Sequence, residues 1–525
     1  MFDRFSDNTV DHIKAILLLC GILLAFFIYL AKKHQLVGLE KKLNYGLGVA
    51  ALTSFLAFYN FGFFHFGGGH FHTHDLYHYY MGSKYFKETG YLYLYDATIL
   101  ADEESNNYMA EVREIRDQTS YNIVPRIVAH QTMAKWRGKF TDERWREFKG
   151  DLVWFQKQPH NWQWWGGIVG DFGYNPSPVW TMIAGVFSNL IPTSSTLGMW
   201  FIAYMDGILA LIMFFTIYKA FDSQTALFSM LYWGSTFTFV FSFTGASMLR
   251  HDWIVYLVIA ICCLKMRKAE AAGLFYALSS GLRIFPVLFG LPVAAGYVMK
   301  NLLFQHPSDL ATGRQNPLAD NGSKFIVAAA ACGAAIFLCT LIFVPGHLGS
   351  WPEFVAKLKV HKESWNTWNW GFIDIFLWTG EVYDNLPGNW KIIKQVRLDA
   401  LMPIIICLQV ATVMLLIMAA RRLEYWESFA LGGVLVFLFL NPTKYYLVYL
   451  ITLVPFYASH LEQLWRARGM AMLFGIMIFM FLLNSFNQTS MLLQFVICLS
   501  VYLLYVYTLV AACITNSPKA IEDVR

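Results

Sequence analysis

Asp75 is the one carboxylate in a stretch dense with groups that move protons: His65, His70, His72, His74 and His78, with Tyr77, Tyr79 and Tyr80 among them. The stretch begins where a long apolar run, Leu43 to Phe64, ends. Gly67, Gly68 and Gly69 let the backbone turn there, because glycine accepts φ angles that side chains forbid. In a partly desolvated cleft a carboxylate with a raised pKa can take a proton from an incoming hydroxyl, which makes Asp75 a candidate general base. A solvated loop aspartate would read the same way. The His-x-His-x-His spacing of His70, His72 and His74, extended by His78, also suits a transition metal. No cysteine accompanies the tract, however, and the glycines would hold it loosely. Aromatic packing and hydrogen bonds to a substrate explain it as well, so no metal is expected, while a divalent cation stays open as a cofactor.

Cationic groups recur further along the chain. Arg250, His251 and Asp252 open an apolar run, where Arg250 could hold a lipid phosphate and Asp252 could serve as a second acid; an interface anchor pair is the plain alternative. Arg283 lies inside an apolar hairpin, and a guanidinium there needs an anion. That anion is either a phosphate or an intramembrane carboxylate such as Asp206. Lys444, in a turn between two apolar runs, is a further phosphate candidate. Two tryptophan groups, Trp162, Trp164, Trp165 and Trp365, Trp368, Trp370, alternate with Asn, Gln and Gly. Aromatic faces beside amides are suited to sugar rings, although interface anchoring accounts for such residues too.

The elements that must position these groups are membrane helices. Of 525 residues 57% are hydrophobic and 14% charged, and mean hydropathy is +0.43, values that exclude a soluble globular domain. Net charge is only +5 and scattered, which argues against nucleic acid as a partner. Cys20, Cys262, Cys263, Cys332, Cys339, Cys407, Cys498 and Cys513 all fall in apolar runs and read as small core residues.

A spanning helix needs roughly 20 apolar residues. The candidate runs are 15–31, 44–65, 197–219, 224–244, 252–265, 324–344, 400–420, 427–441, 445–460, 470–485 and 490–513. Lysines and arginines between them (Lys32, Lys33, Lys41, Lys42; Lys219; Lys265, Arg267, Lys268; Lys300, Arg314; Arg421, Arg422; Arg466, Arg468) mark the cytoplasmic side. The N-terminus and Asp75 are then outside and the C-terminus inside. The same placement turns 179–191, after Asn175-Pro-Ser-Pro178, into a helix along the outer surface. It turns 273–299 into a broken hairpin that reverses near Arg283-Ile-Phe-Pro286. The expectation is an all-α polytopic membrane protein of about 11 full spans plus that hairpin. It divides into an extra N-terminal helix with a basic loop (1–43), a core (44–460) carrying outer loops 66–196 and 346–398, and C-terminal helices with a short tail (461–525).

The order of these features resembles the GT-C superfamily of membrane glycosyltransferases. A long first outer loop has an early Asp followed by Tyr and His. Tyr174-Asn-Pro-Ser-Pro-Val-Trp180 starts a surface helix, Gly281-Leu-Arg-Ile-Phe-Pro286 makes a break, and Asn366 and Asn369 lie in a later outer loop. Asn441-Pro442 then precedes Tyr445-Tyr446. The likeness is greatest to the branch that uses polyprenyl-phosphate mannose or related sugars, and it covers about residues 44–460 in short motifs. The extra first helix and the length of the histidine-rich loop depart from the pattern. The resemblance implies that Asp75 is the first-loop catalytic acid and that Arg283 sits near the donor phosphate. It sets His361 or Asn366 at third-loop polar contacts.

The expected activity is therefore inverting sugar transfer outside the membrane, from a polyprenyl-phosphate donor to a glycolipid or glycan hydroxyl. Asp75 and Asp252 would be the catalytic candidates, Arg283, Arg250 and Lys444 the phosphate ligands. Trp164, Trp165, His361, Asn366, Asn369 and Trp370 would hold the sugar. Besides membrane lipids, partners in a membrane complex are compatible with the sequence. The alternatives are a non-catalytic subunit on the same scaffold, or a histidine-rich metal-handling membrane protein.

Overall fold

A computed structural model describes residues 7–65, 69–159, 165–303, 320–363, 369–380, 388–485 and 490–515. Trp164 and Asn366, and the side chain of His361, lie outside the described residues. Almost everything described is helix. The one sheet among the described residues is an antiparallel pair, Glu114–Arg116 with Ile123–Pro125.

Six helices are long and apolar enough to cross a membrane: Asn8–Lys33, Thr196–Ala220, Asn321–Phe343, Trp390–Arg422, Leu464–Asn484 and Met491–Thr515. Several other expected spans are shorter or broken. The run 224–244 is helical only over Ser223–Ser235, then extended, then one turn at Phe241–Thr244. Thr236, Thr238 and Val240 alternate with phenylalanines there, a β-branched pattern that disfavours helix. The run 427–441 divides at Gly432 into Tyr425–Ala430 and Gly433–Phe439. The run 445–460 starts as a 3-10 helix, Lys444–Thr452, before Leu453–Ala458. These irregular pieces are buried inside the protein, where neighbouring groups can satisfy their backbone.

The helix Asp252–Lys265 is the centre of the bundle, with nearly every side chain buried between Thr196–Ala220 and Ala269–Leu282. The expected break near Arg283 is present. Ala269–Leu282 ends at Arg283, whose backbone is extended, and a 3-10 turn Phe285–Gly290 leads into Leu291–Val298. Pro286 has no N–H to donate and disfavours helical backbone in the residue before it, so the break falls where the sequence predicts.

The described residues between 69 and 196 form a packed, mainly helical unit. Thr73–Lys84, Leu94–Glu103, Ile127–Trp136 and Asp142–Gln156 gather around Tyr77, Tyr80, Phe148, Leu152 and Phe155, all buried. Inside it Lys84 pairs with Asp151 at 2.7 Å, and the hydroxyls of Tyr85 and Thr193 also donate to that carboxylate. A buried ion pair is tolerable when its remaining lone pairs are so occupied. The helix Pro178–Leu190 begins as proline at the first helical position suggests: Ser177 Oγ accepts the Trp180 N–H at 3.1 Å.

Candidate functional site

Asp75 lies in the first turn of the helix Thr73–Lys84, which His72 caps by accepting the Asp75 N–H on its Nδ1 at 3.2 Å. The cap fixes the helix start and aims the Asp75 carboxylate inward. Gly82, on the same helix, lets it press against Tyr174 of the proline-rich segment; a Cβ there would meet the ring at 2.2 Å. Arg250 Nη1 meets Asp75 Oδ2 at 2.9 Å, in an ion pair whose side chains are 11% and 12% exposed. The same guanidinium donates to Tyr79 Oη and lies 4.7 Å from the Tyr445 ring centroid.

Burial alone would raise the Asp75 pKa. Arg250, then His72 and His74, outweigh burial and hold the carboxyl well below the usual carboxylate range. This corrects the expectation of a raised pKa: the cleft is desolvated, but it is also cationic. Burial pushes the neighbouring imidazoles of His72 and His78 down to about 4. His74 goes the other way, because Asp75 and Asp171 together overcome its burial.

The loop that carries Arg250 is strained. Ala246, Met248 and Leu249 all have positive φ, at 55°, 64° and 48°. Such residues cost of order 1–3 kcal/mol each and persist only where their surroundings over-determine them. Here the constraints are visible. The Ala246 carbonyl accepts the His72 N–H (3.2 Å), the Leu249 carbonyl accepts Trp180 Nε1–H (3.0 Å), and Asp206 accepts the N–H groups of Arg250 (2.7 Å) and His251 (3.0 Å). Asp206 therefore binds the backbone of the Arg250 loop. Among the described residues no carboxylate lies within ion-pair distance of Arg283, so the alternative pairing of Arg283 with Asp206 is not formed.

Arg283 turns into the same region. Its Nη1 donates to the Leu282 carbonyl at 3.2 Å, while Nε is buried without a hydrogen-bond partner. The groups that bear on it electrostatically are Tyr446, Tyr79, Asp252 and Arg250. Tyr79 feels both guanidiniums and Asp75 together. Ser177, besides capping its helix, donates to the Gly281 carbonyl at 2.6 Å, so one short segment braces both arginine-bearing turns.

Asp252 is buried at the start of its helix, where its Oδ1 accepts the Trp253 N–H at 2.7 Å. Lys444 Nζ lies 5.9 Å from the Trp370 ring centroid. Asn369 bridges to Thr443, and its carbonyl accepts from Gln494. Trp370 N–H donates to the Pro442 carbonyl at 2.8 Å. Trp165 and Trp370 are only 3% and 2% exposed. Both rings pack within the protein, Trp165 edge-on to Tyr77, so neither presents the open face expected of a sugar platform.

Of the histidines weighed as metal ligands, His70 packs at a tilt against Trp200 with ring centroids 4.7 Å apart. Among the described residues the groupings close enough to share an ion are His72, His74 and Asp75, and His74, His78 and Asp171. Asp171 escaped notice because it is far from Asp75 in sequence. Its position between Gly170 and Gly173 in an aromatic loop is the local signal that could have marked it. Compared with known protein families, curated sequences and solved structures, the chain has no match in any of the three.

Proposed function

We propose that the protein is a membrane glycosyltransferase that moves a sugar, with inversion, from a polyprenyl-phosphate donor to an acceptor hydroxyl at its extracytoplasmic face. The observation that carries this reading is the Asp75–Arg250 pair beside Arg283, whose buried Nε has no partner. One ionised carboxylate next to two guanidiniums leaves a surplus of positive charge suited to a phosphate. Such charges, preset where the leaving phosphate gains its negative charge, are an effective transition-state device.

In this reading the donor phosphate lies against Arg283 and Arg250, with Lys444 at its margin. As the phosphate draws Arg250, Asp75 loses its counter-charge and becomes more basic. The acceptor oxygen then bonds to the anomeric carbon while the carbon–phosphate-oxygen bond breaks, and the acceptor proton passes to Asp75. Attack from the side opposite the leaving group inverts the centre. The acceptor is a glycolipid or glycan hydroxyl, and the membrane orientation is that implied by the basic residues, N-terminus outside and C-terminus cytoplasmic.

The test is sugar transfer by purified protein supplied with polyprenyl-phosphate sugars. Asp75→Asn keeps the shape of the side chain but cannot take the proton, so the transfer rate should fall ~10²–10⁴-fold while donor binding is kept. An unchanged rate in Asp75→Asn would remove Asp75 from the mechanism.

A further inference from the structure

Three imidazoles surround Asp75, and two of them are committed to neutral partners. His72 Nδ1 accepts the Asp75 N–H, so its proton must be on Nε2. His78 Nδ1 lies 2.7 Å from the His74 carbonyl, which only accepts, so Nδ1 carries the proton. Its Nε2 then accepts from Tyr95 Oη at 2.7 Å. His74 differs from both, because each of its nitrogens faces a carboxylate. Nδ1 lies 3.3 Å from Asp75 Oδ1 and Nε2 lies 3.6 Å from Asp171 Oδ2. Side-chain exposure rises along this line, from 12% at Asp75 and 13% at His74 to 39% at Asp171.

We propose that His74 is a proton relay that empties Asp75 after each turnover, passing the collected proton through its imidazole to Asp171 and out to solvent. The inference rests on the proposed transfer reaction, which leaves one proton on Asp75. With His74 as the neutral Nε2–H tautomer, the form present above its raised titration midpoint, that proton moves from Asp75 Oδ1 to His74 Nδ1. The proton on Nε2 moves to Asp171 Oδ2 and from there to water. Asp75 is ionised again, and rotation of the His74 ring or return of a proton from solvent restores the starting tautomer. The relay is useful because Asp75 is otherwise enclosed by Arg250, Tyr79 and the two neutral imidazoles. The charged and titratable groups that face His74 are Asp75, His72 and His78 on its own helix, Asp171 from the glycine-flanked loop, and Arg250 from the strained loop. A metal ion held by the same residues is the competing arrangement. It would have to displace Tyr95 from His78, and Arg250 already occupies Asp75.

The experiment measures transfer against pH for the wild type, His74→Gln and Asp171→Asn, with and without added imidazole. If the relay operates, His74→Gln slows transfer roughly 10²-fold, the lower end for positioned proton transfer. Small imidazole restores part of the rate, and Asp171→Asn, at a half-exposed position, shows the same trend more weakly. A wild type that transfers sugar, with a pH profile unchanged in His74→Gln and no response to imidazole, overturns the relay and leaves the transferase reading standing. A wild type inactive with every polyprenyl donor overturns the transferase reading instead. The His74 arrangement is then read by its rate of modification with diethyl pyrocarbonate against pH, followed by mass spectrometry. Its titration midpoint should fall in Asp171→Asn, and an unmoved midpoint counts against the contact. Stoichiometric metal in the purified protein, lost in His74→Gln, would also overturn the relay.

Discussion

Asp206 Oδ2 accepts the backbone N–H of Arg250 at 2.7 Å, while the guanidinium of Arg250 reaches across to Asp75 at 2.9 Å. A carboxylate within a long apolar helix thus acts on the Asp75–Arg250 pair at one remove, by fixing a strained backbone. Asp206→Asn keeps one acceptor oxygen but gives up two charge-assisted bonds, each worth about 1.5–3 kcal/mol. The expected outcome is a lower melting temperature together with loss of transfer, since the positive φ values at Ala246, Met248 and Leu249 lose the contact that holds them. Normal melting and normal transfer in Asp206→Asn would show that the loop is held without it.

Lys357 offers a pH test away from the cleft. It is buried, donating to the Tyr91 carbonyl at 2.6 Å and to Gln118 Oε1 at 2.9 Å. Burial pushes its ammonium down to about 7, with Asp171 working against the shift. Above that pH the unfolded chain still holds the proton and the folded protein does not. Stability from this group therefore rises with pH until the unfolded value, ~10.4, is reached. Between pH 7 and 9 the melting temperature of the wild type should gain steadily on that of Lys357→Met. The variant starts lower because two acceptors lose their donor, so the slope is the readout. A difference that stays flat across this range would mean that Lys357 remains charged in the fold.

The contact of Gly82 with Tyr174 gives a packing test. A methyl group at position 82 would meet the Tyr174 ring at 2.2 Å, so one of the two elements must move. Overpacking of this kind costs about 1–3 kcal/mol. Gly82→Ala should lower the melting temperature, and Tyr174→Leu should recover part of the loss when the two are combined. Additive losses in the double variant would show that the two positions do not press on each other.

The parts of this site that sequence reasoning reached are those with a local cause. Arg283 marks a break because Pro286 follows it, and a helix begins at Pro178 as the prolines of 175–178 suggest. Asp75, Arg250 and Arg283 were each identifiable as ionisable groups in apolar surroundings, and the fold brings them to one region. What was not legible depends on tertiary contact. Nothing near Asp206 in sequence says that its partners are the backbone of residues 250 and 251. Nothing near Asp75 indicates that Arg250 would hold its pKa down, or that Asp171 would lie beyond His74. Hydropathy also gave no sign of the breaks in 224–244, 427–441 and 445–460, because a buried irregular segment is as apolar as an unbroken helix. Trp165 and Trp370 carry the composition of a sugar platform, and their burial is a tertiary fact that composition does not reveal.

Arg283 separates the two roles a buried guanidinium can have. A purely structural arginine would be paired, and removing it would strand its partner carboxylate at a cost of about 3–5 kcal/mol. Asp206 was the natural candidate for that partner, but its oxygens are taken by the N–H groups of Arg250 and His251. Among the described residues Arg283 instead has one hydrogen bond, to the carbonyl of Leu282, and a buried Nε with no hydrogen-bond partner. Arg283→Gln should therefore leave the melting temperature nearly unchanged without ligand. A polyprenyl-phosphate sugar should raise the melting temperature of the wild type, since a ligand that binds only the folded state stabilises it by mass action. In Arg283→Gln that rise should be smaller at the same lipid concentration, because a charged hydrogen bond worth about 1.5–3 kcal/mol is gone. Uncharged polyprenol, with the same tail and no phosphate, should shift the two proteins equally. A marked loss of stability in the variant, with no lipid-dependent difference between the two proteins, would make Arg283 a structural residue and remove the phosphate site from the proposal.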